Sequence, residues 1–202
     1  MIDLEKDGGL WIVTINRPDK ANSLTAVMLE RLCDIMESAH DARALILTGT
    51  GKVFSAGADL DEARAGLATS PLWERLSSAI AALPALTICA LNGTLAGGAM
   101  GMALACDIRL AVDGAKFFYP VMKLGYLPQP SDPGRMAALI GPARAKLILM
   151  GGQKVETPEA LSFGLIDRVI DRDSLLDAAR SICTDTLAAK PDIAAGIKMM
   201  CK

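Results

Sequence analysis

"LNGTLAGGAMGMALACDI" (Leu91–Ile108) is the stretch whose reading decides the fold. It opens at the end of the apolar run "ALTICAL" (85–91) and turns on Gly93 and the pair Gly97-Gly98. From Gly97 it continues in small and apolar residues to about Ala105, and "DIRLAV" (107–112) is strand-like again. A strand, a glycine turn, a buried helix and a second strand are therefore predicted. No acidic side chain occurs before Asp107, so any chemistry at the turn falls to the backbone. The first N–H groups of a helix have no partner within it and face whatever lies ahead.

A second segment, "VFSAGADLDEA" (53–63), has the same plan of strand, small-residue turn and helix. A carbonyl oxygen held between the two turns would receive one N–H from each, and negative charge growing on it would be stabilised. Loss of one such donor costs about 3–4 kcal/mol of transition-state stabilisation. Glycine at a strand–helix junction also relieves steric crowding, and spacing alone leaves both readings open. "TGTGK" (48–52) is no phosphate loop, because Val53 follows the lysine where Ser or Thr is needed. "LAGGAMG" does not follow the dinucleotide fingerprint either, since Gly97 and Gly98 are adjacent.

Outward from these turns, "LWIVTI" (10–15) and "ALILT" (44–48) are predicted strands. Between them "TAVMLERLCDIMESA" (25–39) carries Val27, Leu29, Leu32, Cys33, Ile35, Met36 and Ala39 on one helical stripe. "PLWERLSSAIAAL" (71–83) is predicted helical, as are segments around 133–140 and 142–150. Thr157-Pro158 should open a further helix as cap and first-turn proline. "LIDRVI" (165–170) reads as a short strand and 174–189 as a helix. The alternation indicates an α/β layered domain. No low-complexity segment or clear internal repeat is visible.

Composition bounds the function. The chain has 202 residues, 51% of them hydrophobic, and a net charge of −2, enough for one domain with a sizeable core and without the basic balance of a nucleic-acid binder. The single histidine, His40, excludes a zinc site built on several histidines. Five cysteines at 33, 89, 106, 183 and 201 show no paired spacing, which fits buried free thiols in a reducing compartment. The apolar span Ile80–Cys106 is broken by Pro84, Asn92 and four glycines, and no leader pattern begins the chain. A soluble, cytoplasmic protein is expected.

The two glycine turns, with "TINRPDKANSLTAVM" (14–28), "ALILTGTGKVFSAGADL" (44–60), "NGTLAGGAMGMALACDIRLA" (92–111), "AKFFYPVMKLGYLP" (115–128) and "PARAKLILMGGQKVETPEALSFGLIDRVI" (142–170), resemble the crotonase, or enoyl-CoA hydratase/isomerase, family over nearly the whole chain. The resemblance implies a crotonase-like α/β spiral of β-β-α units that binds an acyl-CoA thioester as substrate or ligand. It further implies a homotrimer or a dimer of trimers, no other cofactor, no metal, and no nucleic-acid or membrane partner. Residues 1–170 would form the spiral core and 171–202 a short C-terminal helical segment. Family members generally continue further, with helices that cover the acyl pocket or pack on a neighbouring subunit, so a shortened helical region is expected here.

The resemblance assigns the two oxyanion donors to the N–H groups of Ala56 and Gly98. Arg17, Lys20, Ala21, Asn22, Ala56, Ala58, Asp59 and Leu60 match the walls that hold pantetheine and adenine, with Arg17, Lys20 or Lys52 as candidates to meet phosphates. Asp59 and Asp107 match family aspartates, but both stand at element edges, where capping competes with catalysis.

Hydration needs a base for water and an acid for the α-carbon. The family's hydratases use two glutamates, which fall at Gly101 and Val121 of this sequence. A further position, where some members carry aspartate, is Gln129, which hydrogen-bonds but is no base near neutral pH. Asp132, in "QPSDPGR", is either an N-cap ahead of Pro133 or a replacement acid. Tyr119 and Tyr126 flank the same region as candidate proton donors or as core aromatics. Glu62 and Glu74 are candidates only if the site is rearranged. The candidate catalytic set is thus Ala56, Gly98, Asp132, Tyr119, Tyr126 and Gln129. The expected activity is enolate stabilisation, with decarboxylation or isomerisation favoured over standard hydration. A non-catalytic acyl-CoA-binding subunit and a hydratase with a relocated acid and base are the alternatives.

Overall fold

The computed structural model describes residues 1–201. β1 (Ile2–Asp7) and β2 (Leu10–Ile15) form an antiparallel hairpin with Ile2 opposite Ile15. α1 (Ala26–Ser38) follows, its start capped by Thr25, whose hydroxyl accepts from the Met28 N–H. The chain then runs through β3 (Ala44–Gly49), β4 (Val53–Ser55), α2 (Leu60–Arg64) and α3 (Leu72–Ala82). β5 (Leu86–Leu91), β6 (Thr94–Ala96) and α4 (Met100–Ala105) repeat that order, with a 3-10 turn at Gly97–Ala99 leading into the helix. β7 (Ile108–Ala111), β8 (Lys116–Phe118), α5 (Val121–Leu124) and α6 (Asp132–Ile140) repeat it again. The rest comprises α7 (Pro142–Leu149), β9 (Val155–Glu156), α8 (Thr157–Phe163), β10 (Arg168–Val169), α9 (Leu175–Ala188) and α10 (Pro191–Met200).

In each repeat the first strand joins a large sheet, ordered β1-β2-β3-β5-β7-β10, and the second joins a small one, ordered β4-β6-β8-β9. Neighbours pair in parallel except β1 with β2 and β8 with β9. The chain therefore winds forward one β-β-α unit at a time, which is the spiral expected from the resemblance. β3 and β5 are central and nearly wholly buried, which explains their continuous apolar runs. α9 packs on β3, β5 and β7, while α1, α3, α4, α6 and α7 touch in succession.

Several features escape a reading by periodicity. β1, "IDLEKD", is a mostly exposed edge strand rich in charge. β4, β6 and β8 are three residues each, too short to show alternation, so the internal repeat is hidden. Thr157 is not a cap: it lies within the first turn of α8, and its hydroxyl donates to the carbonyls of Val112 and Ala115 at 3.1 and 3.2 Å.

Two cations fix the far end of the glycine-rich unit. The buried Arg109 guanidinium donates to the Cys106 carbonyl at 2.7 Å, to the Asp107 carbonyl at 3.2 Å and to Asp167 at 3.0 Å, gathering the carbonyls that follow α4. Lys198 of α10 pairs with Asp107 at 2.8 Å and donates to the Ala85 carbonyl at 2.7 Å. Asp107 also accepts from the N–H and hydroxyl of Thr87 at 2.8 and 2.9 Å, so it joins β5 to β7. Cys33, Cys89, Cys106 and Cys183 are buried free thiols, and Cys201 is exposed.

Candidate active site

The two glycine turns meet backbone to backbone. Gly57 adopts φ +91°, a conformation L side chains rarely take, and a methyl group there would lie 3.0 Å from the Ala96 carbonyl and 3.5 Å from Gly97 Cα. Close approach of the two turns is what these glycines permit.

Hydrogen bonding shows which N–H groups are free. The Ala56 N–H donates to the Ala21 carbonyl at 3.0 Å, so Ala56 is not available as an oxyanion donor and that assignment is corrected. The Gly57 N–H donates to the Ser55 hydroxyl at 3.2 Å. Leu24 then accepts from Asp59 at 2.8 Å and donates to the Gly57 carbonyl at 2.8 Å. These bonds on either side turn the Ala58 N–H away from Leu24, and it has no acceptor among the described residues. In the second turn, the Gly98 N–H precedes the first residue able to bond back within the 3-10 turn. Gly98 rests on the Trp73 indole, where a methyl group would come 3.0 Å from the ring, and Trp73 is itself fixed by its N–H to the Leu67 carbonyl at 2.8 Å.

Ala58 and Gly98 share the wall of a cleft of about 390 Å³, together with Ala56, Leu60, Tyr119, Tyr126 and Gln129. No carboxylate lines it among the described residues; Arg64 is its one charged lining residue. Val121, Tyr126 and Leu127 also border a neighbouring apolar cavity of about 640 Å³.

Behind Tyr119 lies Asp132, fully buried. The Tyr119 hydroxyl donates to Asp132 Oδ2 at 2.9 Å, and the Gln129 N–H reaches the same hydroxyl at 3.4 Å. Asp132 does not cap α6. Its side chain turns inward, and Oδ1, which has no hydrogen-bond partner, points at Gly101 of α4. A Cβ at residue 101 would sit 2.7 Å from that oxygen, so the Asp132 carboxylate fills the space a side chain there would need. Burial pushes the Asp132 pKa up to about 6, with Glu74 adding to the rise and the Tyr119 hydrogen bond and Arg135 opposing it. Burial and then the Asp132 charge hold the Tyr119 proton far above the ordinary phenol range.

Glu74 of α3 anchors this arrangement. It accepts from the Ser131 N–H at 3.1 Å and from the Ser131 hydroxyl, tying down the residue before Asp132. Burial alone would raise the Glu74 pKa, but the bonds from Ser131 and Ser78 and the charge of Arg135 hold it below the usual value. Glu62 bonds the Ala26 N–H at 2.6 Å, at the start of α1. Sequence reasoning missed the Ala58 donor, the Trp73 platform and the Gly101–Asp132 contact.

The remaining predicted residues lie outside the cleft or serve structure. Arg17 pairs with Asp59 at 2.8 Å and donates to the Ser23 carbonyl and hydroxyl. That bond is the main reason the Asp59 carboxyl sits below its usual pKa, and Asp59 also caps α2 through the Asp61 N–H. Asn22 is buried and donates to the carbonyls of Thr50 and Val53 at 2.9 and 2.7 Å, clamping the loop to β4. Ala21 accepts the Ala56 N–H, and Lys20 is exposed.

The enoyl-CoA hydratase/isomerase family model matches residues 5–202. The chain belongs to this family. It is 34% identical over 188 residues to a probable enoyl-CoA hydratase of Mycobacterium tuberculosis, covering 90% of this chain and 73% of the relative. It is 32% identical to the short-chain-enoyl-CoA hydratase of Clostridium acetobutylicum, covering 93% and 76% of the two chains. A 1,2-epoxyphenylacetyl-CoA isomerase of Escherichia coli is 30% identical, with coverage of 94% and 76%. Among solved structures, an enoyl-CoA hydratase from Bacillus anthracis superposes with a TM-score of 0.90 at 30% identity, covering 98% of this chain and 81% of that one. As a member of the crotonase superfamily the protein is an acyl-CoA-binding protein with the family's α/β fold.

Proposed function

We propose that the protein decarboxylates an acyl-CoA thioester carrying a carboxylate on its α-carbon, through an enolate held by the N–H groups of Ala58 and Gly98. One observation carries the reading. The cleft presents two free backbone N–H groups and the phenols of Tyr119 and Tyr126, and no carboxylate lines it among the described residues. Positions 101 and 121, where the resemblance places hydratase glutamates, hold glycine and valine, which leaves no base to activate water. Decarboxylation needs none. The C–C bond to the leaving carboxylate breaks, its electron pair becomes the enolate, and the thioester oxygen takes up charge between the two N–H donors. Tyr119, on the cleft wall, then protonates the α-carbon.

A relative that is 28% identical over 208 residues, the ethylmalonyl-CoA decarboxylase of mouse, supports this class. A cytoplasmic trimer is proposed with it, to be checked by sedimentation.

The test is turnover of malonyl-, methylmalonyl- and ethylmalonyl-CoA beside hydration of crotonyl-CoA, followed by chromatography of the CoA esters. Loss of carbon dioxide with little hydration supports the reading. Hydration as the main reaction refutes it, and binding without turnover of any thioester favours a non-catalytic acyl-CoA-binding role.

A further inference from the structure

We infer that Asp132 and Tyr119 form a proton relay, in which the Asp132 carboxylic acid re-protonates the phenol as the phenol delivers its own proton to the substrate α-carbon. The inference rests on the enolate reading above. Tyr119 is the link between the two environments. It lines the cleft, and its hydroxyl meets Asp132 Oδ2 at 2.9 Å.

A phenol has one proton and two lone pairs, so the charge on Asp132 decides which way that proton faces. When Asp132 is ionised, the hydroxyl hydrogen points at Oδ2, away from the cleft. When Asp132 is protonated, it donates to the phenol oxygen and the phenol hydrogen turns into the cleft. The Gln129 N–H, 3.4 Å from the same oxygen, holds the ring in place in both states.

The relay is needed because a bare phenolate is not stable here. Burial and the neighbouring carboxylate keep the Tyr119 proton far above the ordinary range, so a proton given to substrate has to be replaced in the same step. Balance is simple. A C–H bond forms at the α-carbon, the Tyr119 O–H breaks and re-forms, and the Asp132 O–H breaks. The enolate's negative charge ends on Asp132, and solvent returns a proton after product leaves.

The surroundings set Asp132 up as a reserve acid. Its Oδ1 is buried with no partner against Gly101, the residue through which α4 faces it. Glu74 approaches from α3 through Ser131 and opposes ionisation, while Arg135 from the next turn of α6 favours it. Burial outweighs Arg135 and the Tyr119 bond, so the acid form is populated up to a pH of about 6.

Two measurements test this. The first uses methylmalonyl-CoA in D2O. Wild type should yield one enantiomer of 2-deuteriopropionyl-CoA at low pH, with selectivity declining as pH rises through about 6. Asp132→Asn and Tyr119→Phe should give racemic product at every pH, and the double variant should be no worse than either single one. Retention of wild-type selectivity and pH dependence by Asp132→Asn overturns the relay. The second needs no turnover: carbon-13 NMR of labelled aspartate carboxyls. One carboxyl should titrate near 6, vanish in Asp132→Asn and move higher in Tyr119→Phe, which removes the hydrogen bond that favours ionisation. A normal titration for Asp132 refutes the relay even in a protein that decarboxylates. If none of the malonyl-type thioesters is decarboxylated, the functional reading fails, and the titration still decides whether the acid is poised.

Discussion

A methyl group placed on Gly101 would lie 2.7 Å from Asp132 Oδ1, 3.1 Å from Oδ2 and 3.3 Å from Cγ. Gly101→Ala therefore sets two opposed effects against each other. Alanine in a helix interior is better than glycine by about 1 kcal/mol. Overpacking a tight interior costs about 1–3 kcal/mol, and displacing the carboxylate from Tyr119 loses a charge-assisted bond worth about 1.5–3 kcal/mol. In the wild-type background the second group of effects wins, and the variant should be less stable by about 1.5–5 kcal/mol. In an Asp132→Ala background the obstructing oxygens are gone and only propensity remains, so the same substitution should stabilise by up to about 1 kcal/mol. Urea unfolding of all four proteins measures the cycle, with unchanged m values as the check on two-state behaviour. The sign reversal is the signature. If Gly101→Ala has the same effect in both backgrounds to within about 0.5 kcal/mol, Asp132 does not occupy that space and the account of the site is wrong.

Stability should also report the buried acid. A carboxyl raised from 3.8 to about 6 in the folded protein stabilises it fully below 3.8 and loses that contribution as pH rises through 6, a span of about 3 kcal/mol; urea titrations between these limits should show that decline in wild type and not in Asp132→Asn. Arg109→Met leaves the Cys106 and Asp107 carbonyls without their donor, while the half-exposed Asp167 can rehydrate, so a loss of about 2–3 kcal/mol is expected, read as a fall in Tm of about 2–4 °C per kcal/mol. Gly98→Ala forces the Trp73 ring, 3.0 Å from the new carbon, or the turn itself to shift; acetyl-CoA affinity measured by calorimetry should fall at least tenfold, and an unchanged Kd would show that the turn does not meet the thioester.

The large sheet is legible in the sequence because β2, β3 and β5 are runs of buried apolar residues bounded by turns. The second sheet is not, because its strands are three residues or fewer and gain their order from pairing with neighbours distant in the chain. At the site, the glycine turns are visible, but the identity of the free donor is not. Whether Ala56 or Ala58 presents its N–H depends on Ala21 and Leu24, which reach the turn from another loop. Asp132 misleads for a similar reason. Followed by proline, it has the local form of a helix cap, and a cap competes only for nearby N–H groups. The tertiary contacts win: a phenol on one side and an empty Cβ position on the other draw the carboxylate inward.

Those contacts also couple position 101 to Asp132. A side chain at position 101 and the Asp132 carboxylate compete for one volume, so the fold accommodates an acid from α4 or from α6, but not both. Asp132 stands behind Tyr119, fully buried, and meets the cleft-lining residue through the phenol. An acid so placed is positioned to exchange a proton with the phenol, as the proposed relay requires. Restoring the other arrangement is a direct check on the logic. Gly101→Glu combined with Asp132→Gly should fold, whereas Gly101→Glu alone should be destabilised by several kcal/mol from overpacking and from two carboxyl groups in one buried space. Equal stability of the two variants would mean that the positions do not compete.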